Sequence, residues 1–303
     1  MNWANERVLV TGGAGFIGSS IAKRLLQEKA EVVVLDNFSE GRRGKIPKGC
    51  TVVEADVRDK GAFEKVGPVD YVFTLAAPSS IVLFNKQPID CFEITVSGLL
   101  NVLEWAAATE VKKVVYPTSG SVYGTAPVPQ SEDDVVHPMN LYGVAKLACE
   151  HIARIYSGKI KVVGLRIFAG YGPGEEHKGE FASPVTLFLN SIIKDERPVV
   201  YGDGTQSRDF VYIDDVVDAI LKVAKTDATG VLNVGSGKAH SFNEVIKCIN
   251  KSLKKNIKPL YVNKPTSYLE RTLANTKKAT DVLNLHPLDL RQGLAKYLKQ
   301  IDT

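Results

Sequence analysis

Apolar positions along the first half of the chain follow two rhythms. Six short runs read as strands: Arg7 to Thr11, Glu31 to Leu35, Thr51 to Glu54, Tyr71 to Leu75, Lys113 to Pro117 and Ile160 to Ile167. They are brief and mostly rich in valine, as strands covered on both faces are. Phe16 to Gln27, Cys91 to Ala108 and Leu141 to Tyr156 instead repeat their apolar residues at helical spacing. Strands separated by helices imply βαβ units. With right-handed crossovers, the simplest closure is an α/β fold with a doubly wound parallel sheet of Rossmann type.

Beyond residue 168 the rhythm breaks. Glycine and proline punctuate the chain at Gly170–Gly174, Pro198 and Gly202–Gly204. Strand-like Pro198–Tyr201 and Val231–Val234 mix with helical patterns near Asp214–Lys225 and Phe242–Leu253. The expected division is a doubly wound domain over 1–167 and a smaller mixed α/β C-terminal lobe over 168–303. Part of 205–235 is expected to return to the first domain. No clean linker separates the two, which predicts a broad interface.

Composition narrows the function classes. The 303 residues carry a net charge of +4, and the lysines between Lys247 and Lys258 fit a solvated helix face. A nucleic-acid partner would call for a denser basic patch. Cys50, Cys91, Cys149 and Cys248 form no C-x-x-C pair, and the five histidines have no ligand spacing. No metal site is expected, and the cysteine usage fits a reducing compartment. No apolar run reads as long enough to span a bilayer, and the N-terminus passes directly into a strand. A cytoplasmic protein with no membrane partner is the expectation.

The chemistry begins at Thr11-Gly12-Gly13-Ala14-Gly15-Phe16-Ile17-Gly18, between the first strand and the first helix. Glycines there let a turn tighten and the backbone approach a pyrophosphate, while the helix N-terminus presents N–H groups. Asp36 closes the second strand, where a carboxylate accepts from an adenosine ribose diol and repels a 2′-phosphate. NAD is therefore favoured over NADP, although Arg42 and Arg43 stand nearby. Asp36 equally suits the start of the turn Asp36-Asn37-Phe38. Asp56-Val57 can contact the adenine or cap a helix beginning near Asp59.

Tyr142-Gly143-Val144-Ala145-Lys146 sets a phenol and an ammonium four residues apart, on one face of a helix. An ammonium near a phenol favours the phenolate, which can then take a proton from a hydroxyl. Ser119, in Thr118-Ser119-Gly120-Ser121-Val122-Tyr123-Gly124, ends the fifth strand. The carboxyl ends of such strands are where doubly wound folds bind ligands.

Together, TGGAGFIGS, the strand-end Asp36, Leu75-Ala76-Ala77, TSGSVYG, YGVAK, LRIFAGYGPG and RDFVYIDD resemble the extended short-chain dehydrogenase/reductase family. The style is that of its NAD-dependent nucleotide-sugar epimerases and dehydratases, UDP-glucose 4-epimerase included, and the resemblance covers essentially the whole chain. It implies a Ser119, Tyr142 and Lys146 triad, with Lys146 also holding the nicotinamide ribose. It implies cofactor contacts from Gly12, Gly15, Phe16, Ile17, Gly18, Asp36, Asn37, Asp56, Val57, Leu75, Ala76 and Ala77. Arg208 resembles the arginine that meets the substrate pyrophosphate, and a guanidinium fork suits phosphate oxygens. An ion pair with Asp209 or Asp214 is the structural alternative. Arg271 is the expected second phosphate ligand. Ser79 and Ser80 are candidates for sugar contacts or helix caps.

Within the family, dehydratases carry an Asp-Glu pair after the corresponding serine or threonine, and decarboxylases a Glu. Gly120 and Ser121 offer no general acid near neutral pH. Neither is there a cysteine beside Ser119. The expected activity is thus a 4-epimerase of UDP-glucose/UDP-galactose type working through a 4-keto sugar. A nucleotide-sugar ketoreductase or dehydrogenase is the runner-up, followed by a 4,6-dehydratase and, remotely, a non-catalytic NAD-binding regulator. Two departures concern the substrate. Ala169 stands where relatives often have Asn, and Thr74 where many have His. The resemblance also implies a homodimer through the helices at Cys91–Ala108 and Leu141–Tyr156.

Overall fold

A computed structural model describes residues 2–264 and 269–301. The first half runs β1 (Arg7–Thr11), α1 (Phe16–Gln27), β2 (Glu31–Asp36), β3 (Thr51–Glu54), β4 (Tyr71–Thr74), α2 (Ile81–Lys86), α3 (Pro88–Phe92), α4 (Gly98–Ala108), β5 (Lys113–Ser119), α5 (Leu141–Tyr156) and β6 (Val162–Ile167). The second half continues β7 (Ala169–Tyr171), α6 (Pro184–Ile193), β8 (Val199–Tyr201), β9 (Ser207–Tyr212), α7 (Ile213–Ala224), β10 (Gly230–Val234), β11 (Ala239–Ser241), α8 (Phe242–Leu253), β12 (Leu260–Val262), α9 (Lys277–Leu283) and α10 (Leu290–Ile301).

Seven strands form one parallel sheet in the order β10-β6-β5-β4-β1-β2-β3. Successive residues of β1 and β2 point to opposite faces, and both faces are covered. Val8, Val10, Val32 and Val34 enter the core shared with α1 and α7, while Leu9, Val33 and Leu35 enter the core shared with α4 and α5. That double burial is why these strands read as unbroken valine runs rather than alternating ones. The chain moves outward from β1 to β3 and then returns to β4 on the other side of β1. The crevice at the carboxyl ends of β1 and β4 is the switch point at which such sheets bind ligands.

The small lobe is mixed. β7 pairs with β9 in parallel, β11 with β9 antiparallel, and β12 with β8 in parallel. Residues 168–229 pass through β7, α6, β8, β9 and α7 before β10 joins the main sheet beside β6. The sequence pattern did not reveal α6, whose Val185, Thr186, Phe188, Leu189 and Ile192 are all buried and leave little amphipathic signature.

Three expectations are corrected. Asp59 caps a short 3₁₀ turn, Lys60–Lys65, through the Gly61 N–H, and no α-helix forms there. The helix expected from Cys91 starts at Pro88 and runs through a π turn at Glu93–Ser97 into α4. Its 21 residues, Pro88–Ala108, do have the length and hydropathy to cross a bilayer. Leu99, Val102, Leu103 and Ala106 are buried in the core under the sheet, as in the core helix of a globular protein.

Candidate active site

The turn after β1 is closed by contacts that only glycine permits. Gly12 has φ +68°, and a Cβ on it would stand 2.6 Å from the backbone of Leu75 and Ala76. A Cβ on Gly18 would stand 2.2 Å from the Gly12 carbonyl oxygen. The loop therefore packs backbone to backbone against the end of β4. There Leu75 N–H donates to the Thr11 carbonyl and Ala77 N–H to the Leu75 carbonyl. Helix α1 opens after Gly15 with no side-chain cap and no acid in its first turn. Its leading N–H groups have no partner within the helix and sit at the positive end of the dipole. This cradle fits the pyrophosphate of a dinucleotide.

Asp36 is 6% exposed and does two jobs. One oxygen accepts from Ala14 N–H at 2.9 Å and the other from Phe38 N–H at 2.8 Å, so the carboxylate ties the phosphate loop to the turn that follows β2. A carboxylate has about four acceptor positions, which leaves room for a ribose diol. Asn37 donates to Asp56 at 2.9 Å. Arg58 beside it pushes the Asp56 carboxyl down to about 2. Val57 packs on Gly98 of α4, and its carbonyl accepts from Asn101.

Ser119 ends β5, with its hydroxyl accepting from Ser121 N–H at 3.1 Å. Tyr142 and Lys146 share a face of α5. Asn140 caps that helix through Gly143 N–H at 2.8 Å. Gly143 decides how close the two segments come, since a Cβ there would stand 2.8 Å from the Ser121 carbonyl oxygen. The first turn of α5 thus rests on the backbone beside Ser119. The Tyr142 ring meets Phe84 edge-on at 5.5 Å. Lys146 Nζ lies 5.8 Å from the Tyr142 ring centroid and donates to the Pro117 carbonyl at 3.3 Å. A cavity of about 20 Å³ behind these strand ends is lined by Thr74, Thr95, Lys146 and Cys149, among others. The Thr95 hydroxyl is buried there and has no hydrogen-bond partner among the described residues. The space suits one water.

Gly120 packs against the Phe168 ring, which lies 3.2 Å from where a Cβ would stand. The position after Ser119 is therefore filled from the far side by an aromatic face. Ser79 is exposed, and Ser80 takes the capping role, accepting from Leu83 N–H at the start of α2.

In the small lobe, Arg208 on β9 donates to the carbonyls of Ser207 and Glu270, and its guanidinium stands 5.6 Å from the Phe242 ring centroid. Arg271 is exposed, and its backbone bridges to Ser207. Two arginines far apart in the chain are thus brought to one backbone bridge, Arg271 on it and Arg208 next to it. Asp209 is buried and accepts from the N–H groups of Ser236, Gly237 and Ala274, so its carboxylate holds backbone turns. Asp214 lies 3.5 Å from Lys296.

Sequence reasoning missed the support behind Lys146. Glu150, four residues after Lys146, accepts both prongs of the Arg166 guanidinium at 3.0 and 2.8 Å and the Thr118 hydroxyl at 2.7 Å. This ion pair, with both side chains under 10% exposed, pins α5 to β5 and β6. The helical spacing from Lys146 was the available signal, but the partner on β6 is visible only in the fold.

An open helix N-terminus at the switch point of a doubly wound sheet, with Ser119, Tyr142 and Lys146 gathered at the ends of β5 and α5, defines an extended short-chain dehydrogenase/reductase. The chain belongs to the NAD dependent epimerase/dehydratase family, whose sequence model matches residues 8–235. NAD is its cofactor. The chain is 32% identical to the putative UDP-glucose 4-epimerase of Methanocaldococcus jannaschii, over 95% of this chain and 96% of that one. It is 30% identical to UDP-glucuronic acid decarboxylase 6 of Arabidopsis thaliana, over 96% and 87%. Among solved structures it resembles the UDP-glucose 4-epimerase of Thermotoga maritima with UDP-glucose, at a TM-score of 0.93 and 28% identity, covering 98% of this chain and 100% of that one.

Proposed function

We propose that the protein is a nucleotide-sugar 4-epimerase of UDP-glucose/UDP-galactose type. The observation that carries this reading is the end of β5: the first turn of α5, with Tyr142 and Lys146, packs on the Ser121 backbone, Lys146 donates to the Pro117 carbonyl, and Gly120 is sealed against Phe168 where an acid or a thiol would otherwise stand. Such a site supports proton movement at a single hydroxyl and lacks the acid, next to that serine, that elimination calls for.

NAD, when bound, takes up and returns the two electrons of a carbinol carbon. The residues of the chain do the rest. Tyr142 removes the proton of the sugar 4-hydroxyl, Ser119 bonds the same oxygen, and Lys146 holds the nicotinamide ribose beside the Tyr142 ring. Arg208 and Arg271 grip the diphosphate while the 4-keto sugar turns over, so that oxidation and re-reduction on opposite faces sum to an inversion. Gly12, Gly15, Phe16, Ile17 and Gly18 cradle the pyrophosphate, and Asp36 meets the adenosine ribose. Asn37, Asp56, Val57, Leu75, Ala76 and Ala77 line the rest of the cofactor cleft. Exposed Ser79, just before α2, is the candidate for a sugar contact. Holding sugar and cofactor together supplies much of the rate by proximity. In this reading residues 1–167 form the cofactor domain, with β10 returning to it, and 168–303 the substrate lobe.

The second copy of a homodimer is read from an apolar face. Ile89, Leu141, Val144 and Ile155 are exposed along α3 and α5, and Pro88, Phe92 and Val96 line the groove beside them. Val144→Arg is expected to halve the mass measured by light scattering. All four cysteines are free thiols, which supports a cytoplasmic setting. For the activity, purified protein is incubated with UDP-galactose and with UDP-N-acetylgalactosamine, and the sugars are resolved by chromatography. Formation of the 4-epimer without net change in absorbance at 340 nm is expected. Absence of a 4-epimer from any nucleotide sugar sinks the reading, and net NADH formation moves it to a dehydrogenase.

A further inference from the structure

The segment 174–181 crosses from the small lobe to the cofactor domain and is tied to it at both ends. At its start, Lys45 Nζ, from the loop after β2, donates to the Gly174 carbonyl and lies 2.9 Å from His177 Nδ1. Next to it, Lys178 Nζ stands 4.6 Å from the centroid of the Phe16 ring, the first residue of α1. At its end, Lys86 of α2 pairs with Glu180 at 3.0 Å and stands 5.3 Å from the Phe181 ring centroid.

The tie at Lys45 completes a circuit around the phosphate loop. Asp36 holds Ala14 N–H, and Arg42 N–H donates to the Ala14 carbonyl at 3.2 Å. Gly41 packs on Ala14 so closely that a Cβ there would stand 2.7 Å from the Ala14 Cβ. Lys45 then carries the same loop across to Gly174. Gly174 in turn lies against Phe16, whose ring would be 3.8 Å from a Cβ at that glycine. The glycine-rich turn, the loop after β2 and the strap therefore close on one another around the first turn of α1. Gly174 is fixed from both sides of its peptide, since its N–H donates to the Glu176 carboxylate at 3.0 Å.

The electrostatics suit a closed clasp. Burial pushes Lys45 down to about 8, with Glu175 and Glu176 of the strap opposing that shift and Lys178 and Arg42 adding to it. Burial and the Lys45 charge hold His177 below the usual imidazole range, and a neutral imidazole can accept at Nδ1. A partly desolvated ammonium bonded to a carbonyl is harder to open than a water-exposed one.

We propose that Lys45 clasps the strap 174–181 down on the phosphate loop and thereby retains NAD through successive turnovers. The inference rests on NAD binding and deepens the epimerase reading, which calls for a resident cofactor. Its test contains no sugar, so it succeeds or fails separately from that reading. The holoenzyme carrying radiolabelled NAD is chased with excess unlabelled NAD, and release of label is followed by filtration. Lys45→Met is expected to speed release on the order of tenfold to a hundredfold, the range a lost charge-assisted hydrogen bond gives. Lys45→Arg is expected to restore slow release, and Lys86→Met, which loosens the other end, to change it by less than about twofold. Release from Lys45→Met at the unmodified rate overturns the proposal, as does equally fast release from Lys86→Met. Hydrogen exchange in the unmodified protein provides a test free of substitutions. Amides over 174–181 are expected to exchange more slowly with NAD bound, and exchange indifferent to NAD overturns the clasp.

Discussion

Helices α1 and α8 are both twelve residues long and both open on a phenylalanine, Phe16 and Phe242, yet their first turns are finished in opposite ways. Ser241 and Glu244 close α8 with a capping box, the serine hydroxyl accepting from Glu244 N–H and the glutamate accepting from Ser241 N–H at 2.7 Å. Helix α1 has glycine at that position and no acid in the turn. A helix end satisfied by its own side chains is scaffold. One left open beside a glycine-rich turn keeps its N–H groups and dipole for an anion from outside. The difference marks the end of α1 as the one proposed to receive the cofactor phosphates, although both helices are built alike.

The largest effect is expected from giving α1 the kind of first turn that α8 has. Gly15 has an ordinary φ of −81°, a Cβ there would stand 3.2 Å from the Gly12 carbonyl oxygen and need a shift of a few tenths of an ångström, and Gly15→Asp puts a carboxylate where the pyrophosphate is proposed to lie. Two like charges about 4 Å apart at an effective dielectric near 20 repel by about 4 kcal/mol, so NAD affinity by calorimetry should fall roughly a thousandfold. Unchanged affinity would mean that the open end of α1 is not the phosphate site. A third helix start, that of α5, is capped by Asn140 and presents Tyr142 instead. Tyr142→Phe should lower turnover of UDP-galactose by roughly a hundredfold or more while bound NAD, assayed in the denatured protein, stays at the unmodified level.

Acid should weaken both halves for the same reason. Asp56 in the cofactor half is held at about 2, mainly by Arg58, and Glu244 in the small lobe is lowered mainly by Ser241. A lowered carboxylate pKa contributes stability fully above the unfolded value near 4, and the contribution is lost as pH falls toward 2. With solvent screening, Asp56 contributes about 1 to 2 kcal/mol. Urea unfolding at pH 5 and pH 3 should show that loss, and Asp56→Asn should reduce it. The smallest effect is Ser241→Ala, which removes the α8 cap for about 1 kcal/mol and should leave NAD affinity untouched. A fall in NAD affinity there would erase the distinction between the two helix ends.

Much of the cofactor half was legible because its information is local. Gly12, Gly15 and Gly18 are spaced along one turn, Asp36 ends the neighbouring strand, and Tyr142 and Lys146 lie one helical turn apart. Each can be read within a few residues of itself. Asp36 showed the limit of such reading. Of its two alternatives, the turn is seen in the Phe38 N–H bond and the ribose contact belongs to the proposed function, while the tie to Ala14 needed coordinates to be seen. The Cys91–Ala108 helix was legible, but its start at Pro88, and with it the full apolar length of 21 residues, was not.

The sequence alone determined the open phosphate loop, the acid at the end of β2 and the absence of an acid beside Ser119, since these depend on residue type at short range. Tertiary structure alone decided the rest. It packed Phe168 over Gly120, set Arg271 beside Arg208, locked Glu150 to Arg166 and carried Lys45 to Gly174. Those pairs are joined by the packing of strands and loops distant in the chain, and no periodicity within either segment encodes where the other will lie.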